Sequence, residues 1–218
     1  MSQAKDNSLP IRVAALSARS LRLACFEMAK RDAMLGEIVD QHGYPPLWDR
    51  KPGFATLAHI ILEQQVSLSS AAAINERIRK KCDGRVSAKR ILELGESGLR
   101  DLGVTRQKSH YIYLLAEGVS SRKFRISSLP SLAPEEAREL LQSQKGIGVW
   151  TTEVYLLMAL CYRDAFPVGD LALIRELGHL LGRDMNWDEV LAYATRWAPN
   201  RAVASRILWH SYLARKAQ

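Results

Sequence analysis

The position of Asp170 in the sequence would allow its carboxylate to act as a catalytic group. Asp170 follows the Gly/Pro-containing turn at residues 166–169 and directly precedes an apolar run with helical spacing. An aspartate at this place is an ordinary helix N-cap, which accepts hydrogen bonds from the first backbone N–H groups of the helix. A cap also holds its carboxylate rigidly, and a rigid carboxylate in a water-poor cleft can stabilise a developing cation or orient and deprotonate water. The two roles are compatible, and the spacing alone favours the cap.

A second feature is the Gly-Ile-Gly turn at residues 146–148, which separates two helical patterns, Pro134–Gln142 and Val149–Cys161. Glycine permits positive φ and close approach of another backbone, and Ile147 can point into the core. The N–H groups of the helix that follows then face outward, and such a helix start binds phosphate independently of base sequence. The alternative is an ordinary tight hairpin between two helices, and the turn by itself does not separate the two interpretations.

The elements around these residues are predicted to be helical. Apolar residues recur at spacings of three and four along most of the chain, whereas we find no alternating strand pattern. The sequence therefore predicts an all-α fold with about nine or ten helices. The predicted helical segments are 21–38, Phe54–Val66, Ser69–Cys82, Ala88–Leu94, Thr105–Ser120, Pro134–Gln142, Val149–Cys161, Asp170–Leu181, Trp187–Trp197 and Arg201–Ala214.

Composition narrows the classes of partner. The 218 residues carry a formal net charge of +8, which favours a polyanionic partner. No apolar run approaches the roughly 20 residues of a membrane span, so nucleic acid is preferred over a membrane. The three cysteines have neither zinc-site nor iron–sulfur spacing and are expected to be buried, reduced thiols. Residues 1–16 are predicted to be a flexible N-terminus, and 17–218 a single helical domain.

Five motifs, taken in order, make a resemblance specific. They are Gln64-Gln65-Val66-Ser67, Gly103-x-Thr105-x-x-Lys108, Gly146-Ile147-Gly148-x-Trp150-Thr151, Pro167-x-x-Asp170-Leu171, and Trp197-x-Pro199-x-Arg201 with Trp209 downstream. Over residues 50–213 the chain resembles the helix-hairpin-helix, Gly/Pro, Asp superfamily of DNA glycosylases, and within it the DNA-3-methyladenine glycosylase II family. It is similar to compact members without an N-terminal β-rich lobe. Glu63 departs from the pattern, because many relatives have glycine there.

The resemblance implies a two-lobed helical bundle with a helix-hairpin-helix motif at about residues 138–162 and a cleft between the lobes. A base must leave the duplex before its sugar bond can be reached, and a protein side chain fills the gap. By resemblance Gln65 is that wedge, with Gln64 and Ser67 beside it. The resemblance implies that the hairpin contacts phosphate through the backbone N–H groups of Gly146, Gly148 and Trp150. Thr151 and Thr152 are expected to assist.

The resemblance also implies the remaining site residues. Asp170 is the catalytic carboxylate, Trp150 and Trp209 are walls of the base pocket, and Tyr155 is a weaker pocket candidate. For each aromatic residue the alternative is core packing. No cofactor is expected beyond a structural monovalent cation, sodium or potassium. Its expected ligands are the backbone carbonyls of Gln142, Gln144 and Ile147.

The function implied is hydrolysis of the N-glycosidic bond of alkylated purines of the 3-methyladenine type, in base excision repair. Bifunctional relatives carry a lysine in the hairpin helix that forms a Schiff base. Trp150 occupies that position here, which predicts a monofunctional enzyme. Two alternatives stay open: a glycosylase for neutral deaminated or mismatched bases, and a non-catalytic protein that binds damaged DNA. A helical protein–protein adaptor would explain the fold but not the ordered motifs.

The expected partner is double-stranded DNA with alkylated bases, bound by a monomer and without a membrane. The expected location is the cytoplasm, in association with the nucleoid, for a bacterial source and the nucleus for a eukaryotic one. The preferred lesion does not follow from the sequence.

Overall fold

The computed structural model describes residues 15–217. In this part of the chain regular structure consists of eleven α-helices and two 3-10 helices, with no strand, which confirms the all-α prediction. The α-helices are α1 (Ala18–Arg31), α2 (Ala33–His42), α3 (Phe54–Glu63), α4 (Leu68–Lys81), α5 (Ala88–Asp101), α6 (Arg106–Ser120), α7 (Pro134–Gln142), α8 (Val149–Met158), α9 (Leu171–Leu181), α10 (Trp187–Ala194) and α11 (Arg201–Lys216). The 3-10 helices are Ile126–Ser131 and Thr195–Trp197.

The helices pack as two groups, as the resemblance implied. In the first group α3 contacts α4, α6 and α8, while α5 packs on α6 and α7 on α8. In the second group α11 contacts α1, α2 and α9, and α10 contacts α9. Two helices are buried along most of their length: α8 from Thr151 to Leu157 and α11 from Ala202 to Trp209. The loop between α8 and α9 connects the two groups.

Several helix boundaries differ from the predicted ones. The first helical pattern is broken at Asp32, whose side chain caps α2 by accepting from the Leu35 N–H group at 3.2 Å. The predicted helix from residue 54 ends at Glu63 rather than Val66, and the hairpin helix ends at Met158 rather than Cys161. The pattern predicted to end at Leu94 continues to Asp101 across a kink at Gly95. The stretch 129–133, which lies outside every predicted helix, begins inside a 3-10 helix.

The prediction that residues 1–16 form a flexible N-terminus is wrong for Leu16. Residues 1–14 lie outside the described part of the chain, but Leu16 belongs to the core. Its side chain is 4% exposed, and its backbone N–H donates to the Cys161 carbonyl at 2.8 Å. The three cysteines are buried free thiols, as predicted. No helix of the described residues is long and apolar enough to cross a bilayer.

Candidate active site

Asp170 is the N-cap of α9, and its two carboxylate oxygens have different partners. Oδ1 accepts from the backbone N–H groups of Ala172 (3.0 Å) and Leu173 (3.1 Å) and from Trp209 Nε1 (3.0 Å). Oδ2 accepts from Trp150 Nε1 at 3.0 Å. Four N–H donors therefore stabilise the negative charge and fix the direction of the carboxylate. Among the described residues Oδ2 has one donor, and it keeps capacity to accept another hydrogen bond.

The structure brings the three residues of the candidate centre together from three elements. Trp150 lies in the first turn of α8, Asp170 begins α9, and Trp209 lies in α11. Trp209 is 9% exposed, while Trp150 and Asp170 are half-buried. Since α8 belongs to one group of helices and α9 and α11 to the other, the carboxylate lies where the two lobes meet. The indole N–H groups orient the carboxylate, a role that the sequence interpretation did not give them.

The loop before Asp170 is held by a buried ion pair. Glu153, 6% exposed, accepts from Arg138 Nε at 2.6 Å and from the backbone N–H of Phe166 at 2.8 Å. A buried carboxylate is stable when it is both paired and hydrogen-bonded. The pair fastens the chain four residues ahead of Asp170 to α8, and so fixes the position from which the carboxylate is presented.

The Gly-Ile-Gly hairpin has a buried plug and an open helix start. Ile147 is 4% exposed. Gly146 has φ +86°, and a Cβ at this position would lie 2.3 Å from Tyr111 Cγ, so glycine is required here by both conformation and space. Gly148 caps α8 without a side-chain hydrogen bond, and a Cβ there would meet no atom of residues 15–217 within 4 Å. Because Gly148 and Val149 are exposed, the first N–H groups of α8 face solvent.

The residues predicted as the wedge lie between α3 and α4. Gln65 is exposed and has φ +55°, so its side chain leaves the surface in a strained backbone conformation. Gln64 points the other way and donates to the Gly146 carbonyl (3.0 Å) and to Thr151 Oγ1 (2.8 Å). It therefore ties this segment to the hairpin. Ser67 caps α4 by accepting from the Ser70 N–H group at 3.2 Å.

Lys108 completes the attachment of that segment. Its Nζ donates to the carbonyls of Leu62 (2.7 Å) and Gln64 (2.6 Å) at the end of α3. Burial lowers the pKa of this amine. The carbonyls at a helix C-terminus lack intrahelical donors, so a cation there stabilises the helix end. The sequence signalled Lys108 through its motif but not this contact.

Three predicted site residues are corrected by burial. Tyr155 is 0% exposed and its hydroxyl accepts from the Gly53 N–H group at 2.9 Å, so it cannot be a surface of the base pocket. Burial raises its pKa to about 12. Thr151 and Thr152 are 2% and 0% exposed. Their side chains face the protein interior, so they cannot contact DNA as predicted.

The proposed cation ligands lie in the hairpin turn. The carbonyl of Gln144 accepts from the Ile147 N–H group at 3.1 Å. Within residues 15–217, the carbonyls of Gln142 and Ile147 accept no backbone hydrogen bond. Carbonyl oxygens without donors are suitable ligands for a hard monovalent cation. Groups of three or more histidine, cysteine, aspartate or glutamate side chains that could hold a metal are absent from the described residues.

Trp48 is an aromatic neighbour of the centre that the sequence interpretation missed as a site residue. It lies in the connection between α2 and α3, and its ring centroid is 6.4 Å from that of Trp209. Pro45 and Pro46 precede it in the sequence and disfavour a helix there, but no local pattern indicates where such a segment will pack.

Fold and site together define an all-helical protein with a helix-hairpin-helix motif and a rigid carboxylate between two lobes. The chain belongs to the HhH-GPD superfamily of base excision DNA repair proteins, whose family model matches residues 58–199. This confirms the superfamily resemblance.

Named relatives support the narrower family. The chain is 26% identical to the DNA-3-methyladenine glycosidase of Bacillus halodurans, with a TM-score of 0.72 over 94% of this chain and 95% of that one. It is 26% identical to the 3-methyladenine DNA glycosylase of Archaeoglobus fulgidus, with a TM-score of 0.72 over 88% of this chain and 68% of that one. The Bacillus subtilis DNA-3-methyladenine glycosylase is 26% identical over 203 residues, covering 84% of this chain and 65% of the relative. The chain thus spans slightly less than two thirds of the length of that curated relative.

Proposed function

We propose that this protein is a monofunctional DNA glycosylase that removes alkylated purines from double-stranded DNA. The observation that carries the proposal is the Asp170 carboxylate, which both indole N–H groups and the α9 N-terminus hold at the meeting of the lobes. Asp32, a cap aspartate elsewhere in the chain, accepts from one indole, whereas Asp170 accepts from two, one on each carboxylate oxygen. The names of the relatives in Bacillus halodurans and Archaeoglobus fulgidus support the class of substrate.

The chemistry follows from the charge of the base. Methylation at N3 or N7 makes a purine positively charged, so it can leave without acid catalysis. As the N-glycosidic bond breaks, its electron pair goes to the purine, which becomes neutral, and the sugar takes the positive charge. Asp170 stabilises this cation electrostatically. A water molecule that donates a hydrogen bond to the free side of Oδ2 then adds to C1′ of the sugar. The proton that this water loses passes to the carboxylate or to solvent. The product is an abasic site.

DNA would be held at two places, the start of α8 and Gln65. The uncapped start of α8 presents backbone N–H groups to a phosphate. The exposed, strained Gln65 is suited to enter the gap in the duplex, because its neighbours Gln64 and Ser67 are fixed by hydrogen bonds. The net charge of +8 agrees with a polyanionic partner.

We propose the absence of a lyase step because Trp150 occupies the position of the lysine of bifunctional relatives. Lys145 precedes the hairpin glycines, and the Lys108 amine already donates to two carbonyls. Incubation with a duplex substrate and borohydride should trap no covalent protein–DNA adduct. A trapped adduct would refute the monofunctional assignment.

A monovalent cation in the hairpin is a further part of the proposal. The carbonyls of Gln142, Gln144 and Ile147 would hold it, and its charge would attract the phosphate bound at the α8 start. Replacing potassium chloride by tetramethylammonium chloride at equal ionic strength should then weaken DNA binding. Equal affinity in the two salts would show that DNA binding does not depend on a cation in the hairpin.

The central experiment is release of free base from methylated duplex DNA. We expect the wild-type protein to release 3-methyladenine and 7-methylguanine, identified by chromatography, and Asp170→Asn to release neither at a comparable rate. If both proteins release equal amounts, Asp170 is not the catalyst. If the wild type releases no base while still binding the DNA, the chain is a binding protein instead.

A further inference from the structure

The irregular connection between α2 and α3, residues 44–53, contains a strained aromatic residue. Trp48 has φ +49°, a region that bulky L-residues rarely adopt because Cβ crowds the backbone. Such conformations persist where the surrounding structure enforces them, and they concentrate at functional sites. The contacts of the Trp48 side chain indicate why the fold maintains this strained conformation.

Trp48 packs against Trp209, which in turn contacts the Asp170 carboxylate. Its ring lies edge-to-face with Trp209, at 6.4 Å between centroids and 66° between planes, and with His210 at 6.2 Å. Trp209 in turn donates to Asp170. Trp48 is half-buried, so the residue keeps some accessible surface. The Trp48 ring is therefore placed at an angle to the indole that donates to Asp170.

A buried arginine fastens this connection from one side. Arg206 is 0% exposed, and its guanidinium donates to the carbonyls of Leu47 (2.9 Å), Leu157 (2.7 Å) and Ala202 (3.1 Å). Burial lowers its pKa to about 10. Within residues 15–217 the hydrogen-bond partners of this buried charge are all carbonyls, and burying such a charge costs free energy. We therefore assign its contacts a role in positioning the segments that they join. One of those carbonyls belongs to the residue directly before Trp48.

The other end of the connection is fastened by an ion pair and two backbone bonds. Arg50 donates from both terminal nitrogens to Glu63, at 2.8 and 3.0 Å, and its N–H donates to the Met158 carbonyl at 2.9 Å. The Gly53 N–H group donates to the Tyr155 hydroxyl. The bidentate bond between Arg50 and Glu63 therefore holds the chain two residues after Trp48 against α3.

We propose that Trp48 is a third aromatic wall of the base site and that it holds positively charged bases. The inference rests on the proposed function, which supplies the cationic base. A cation is attracted to the electron-rich face of an aromatic ring, most strongly to that of tryptophan. Trp48 contributes such a face from a connection that Arg206 and the Arg50–Glu63 pair hold in place. Simple core packing would instead require shape and apolar character alone.

The test uses single-turnover excision of 7-methylguanine from a defined duplex by the full chain. Trp48→Leu keeps apolar bulk without a ring, and should lower the rate constant about tenfold. Trp48→Phe keeps a weaker aromatic face, and should lose about threefold. Affinity for a duplex with a tetrahydrofuran abasic site should not change, because that ligand has no base. Phe26→Leu, at an exposed aromatic residue on α1, is the matched control and should leave both quantities unchanged.

The outcomes separate this inference from the proposed function. The order Trp, Phe, Leu in rate, with constant abasic-DNA affinity, supports the third wall. Equal rates for all three overturn it, and so does a parallel loss of rate and abasic-DNA affinity, which would mean a general structural role. If Trp48→Leu does not fold, the Phe variant decides by the same two measurements. If the wild type itself excises no 7-methylguanine, the proposed function fails first.

Discussion

Two helix N-termini meet at the site, and the protein treats them in opposite ways. α9 begins with its own carboxylate, since Asp170 accepts from two of the first N–H groups of that helix. α8 begins with Gly148, which offers no side-chain cap. Trp150 joins them, because it lies in the first turn of α8 and donates to Asp170. The difference indicates that the positive end of α9 fixes the Asp170 carboxylate, which is the proposed catalytic group. The positive end of α8 stays open for an external anion such as a DNA phosphate.

The largest expected loss of stability comes from removing the internal anion. Asp170→Leu deletes the cap and leaves two indole N–H groups without an acceptor. We expect a loss of about 3 kcal/mol in the free energy of unfolding, measured by urea denaturation. Asp170→Asn keeps a cap of similar quality and should lose about 1 kcal/mol. Equal stability of the Leu variant and the wild type would show that α9 does not depend on this carboxylate.

Substitutions of the two hairpin glycines should separate effects on stability from effects on DNA affinity. Gly146→Ala places a Cβ against Tyr111 at positive φ and should lower the unfolding free energy by about 2 kcal/mol. Gly148→Ala meets no neighbour and has φ −92°, so stability should stay within about 0.5 kcal/mol. Its methyl group would stand in the path of the phosphate, and DNA affinity should fall about tenfold. Unchanged affinity of Gly148→Ala would mean that the open helix start is not a phosphate site.

The link between the two termini can be cut at one hydrogen bond. Trp150→Phe keeps an aromatic ring but removes the donor to Oδ2, and the excision rate should fall about tenfold. The matched control is Trp197→Phe, because Trp197 Nε1 donates to Asp32 Oδ2 at 2.8 Å at another capped helix start. That variant should affect stability and leave the rate unchanged. Equal effects of both variants on the rate would remove the special role of Trp150.

The smallest effect concerns charge near the open terminus. Lys145 is exposed in the hairpin, directly before Gly146. Lys145→Gln should weaken DNA binding for every sequence and reduce the slope of log affinity against log salt by about 1. Gly148→Ala should leave that slope unaltered because it removes no charge. A slope unchanged in Lys145→Gln would place this lysine away from the phosphates.

The sequence predicted the fold class, most helices and the meeting of Asp170 with Trp150 and Trp209. It misjudged features that depend on tertiary contacts. The end of α3 is set by Lys108, which is 44 or 46 residues from the carbonyls it binds. Tyr155 and Thr152 follow a functional motif in sequence, but α8 is buried after its first turn, so they belong to the core. Trp48 lies in an irregular connection. Its long-range contact with Trp209, and the Arg206 bond to the carbonyl of the adjacent Leu47, identify it.

The central claim is that Asp170 acts in catalysis beyond its role as a cap. The most direct measurement is the single-turnover rate constant of Asp170→Asn at saturating protein, compared with Asp32→Asn, another cap aspartate that accepts from an indole. We expect the Asp170 variant to lose about 10²- to 10⁴-fold in rate with unchanged affinity for abasic DNA, and the Asp32 variant to keep the wild-type rate. A wild-type rate in Asp170→Asn would contradict the account.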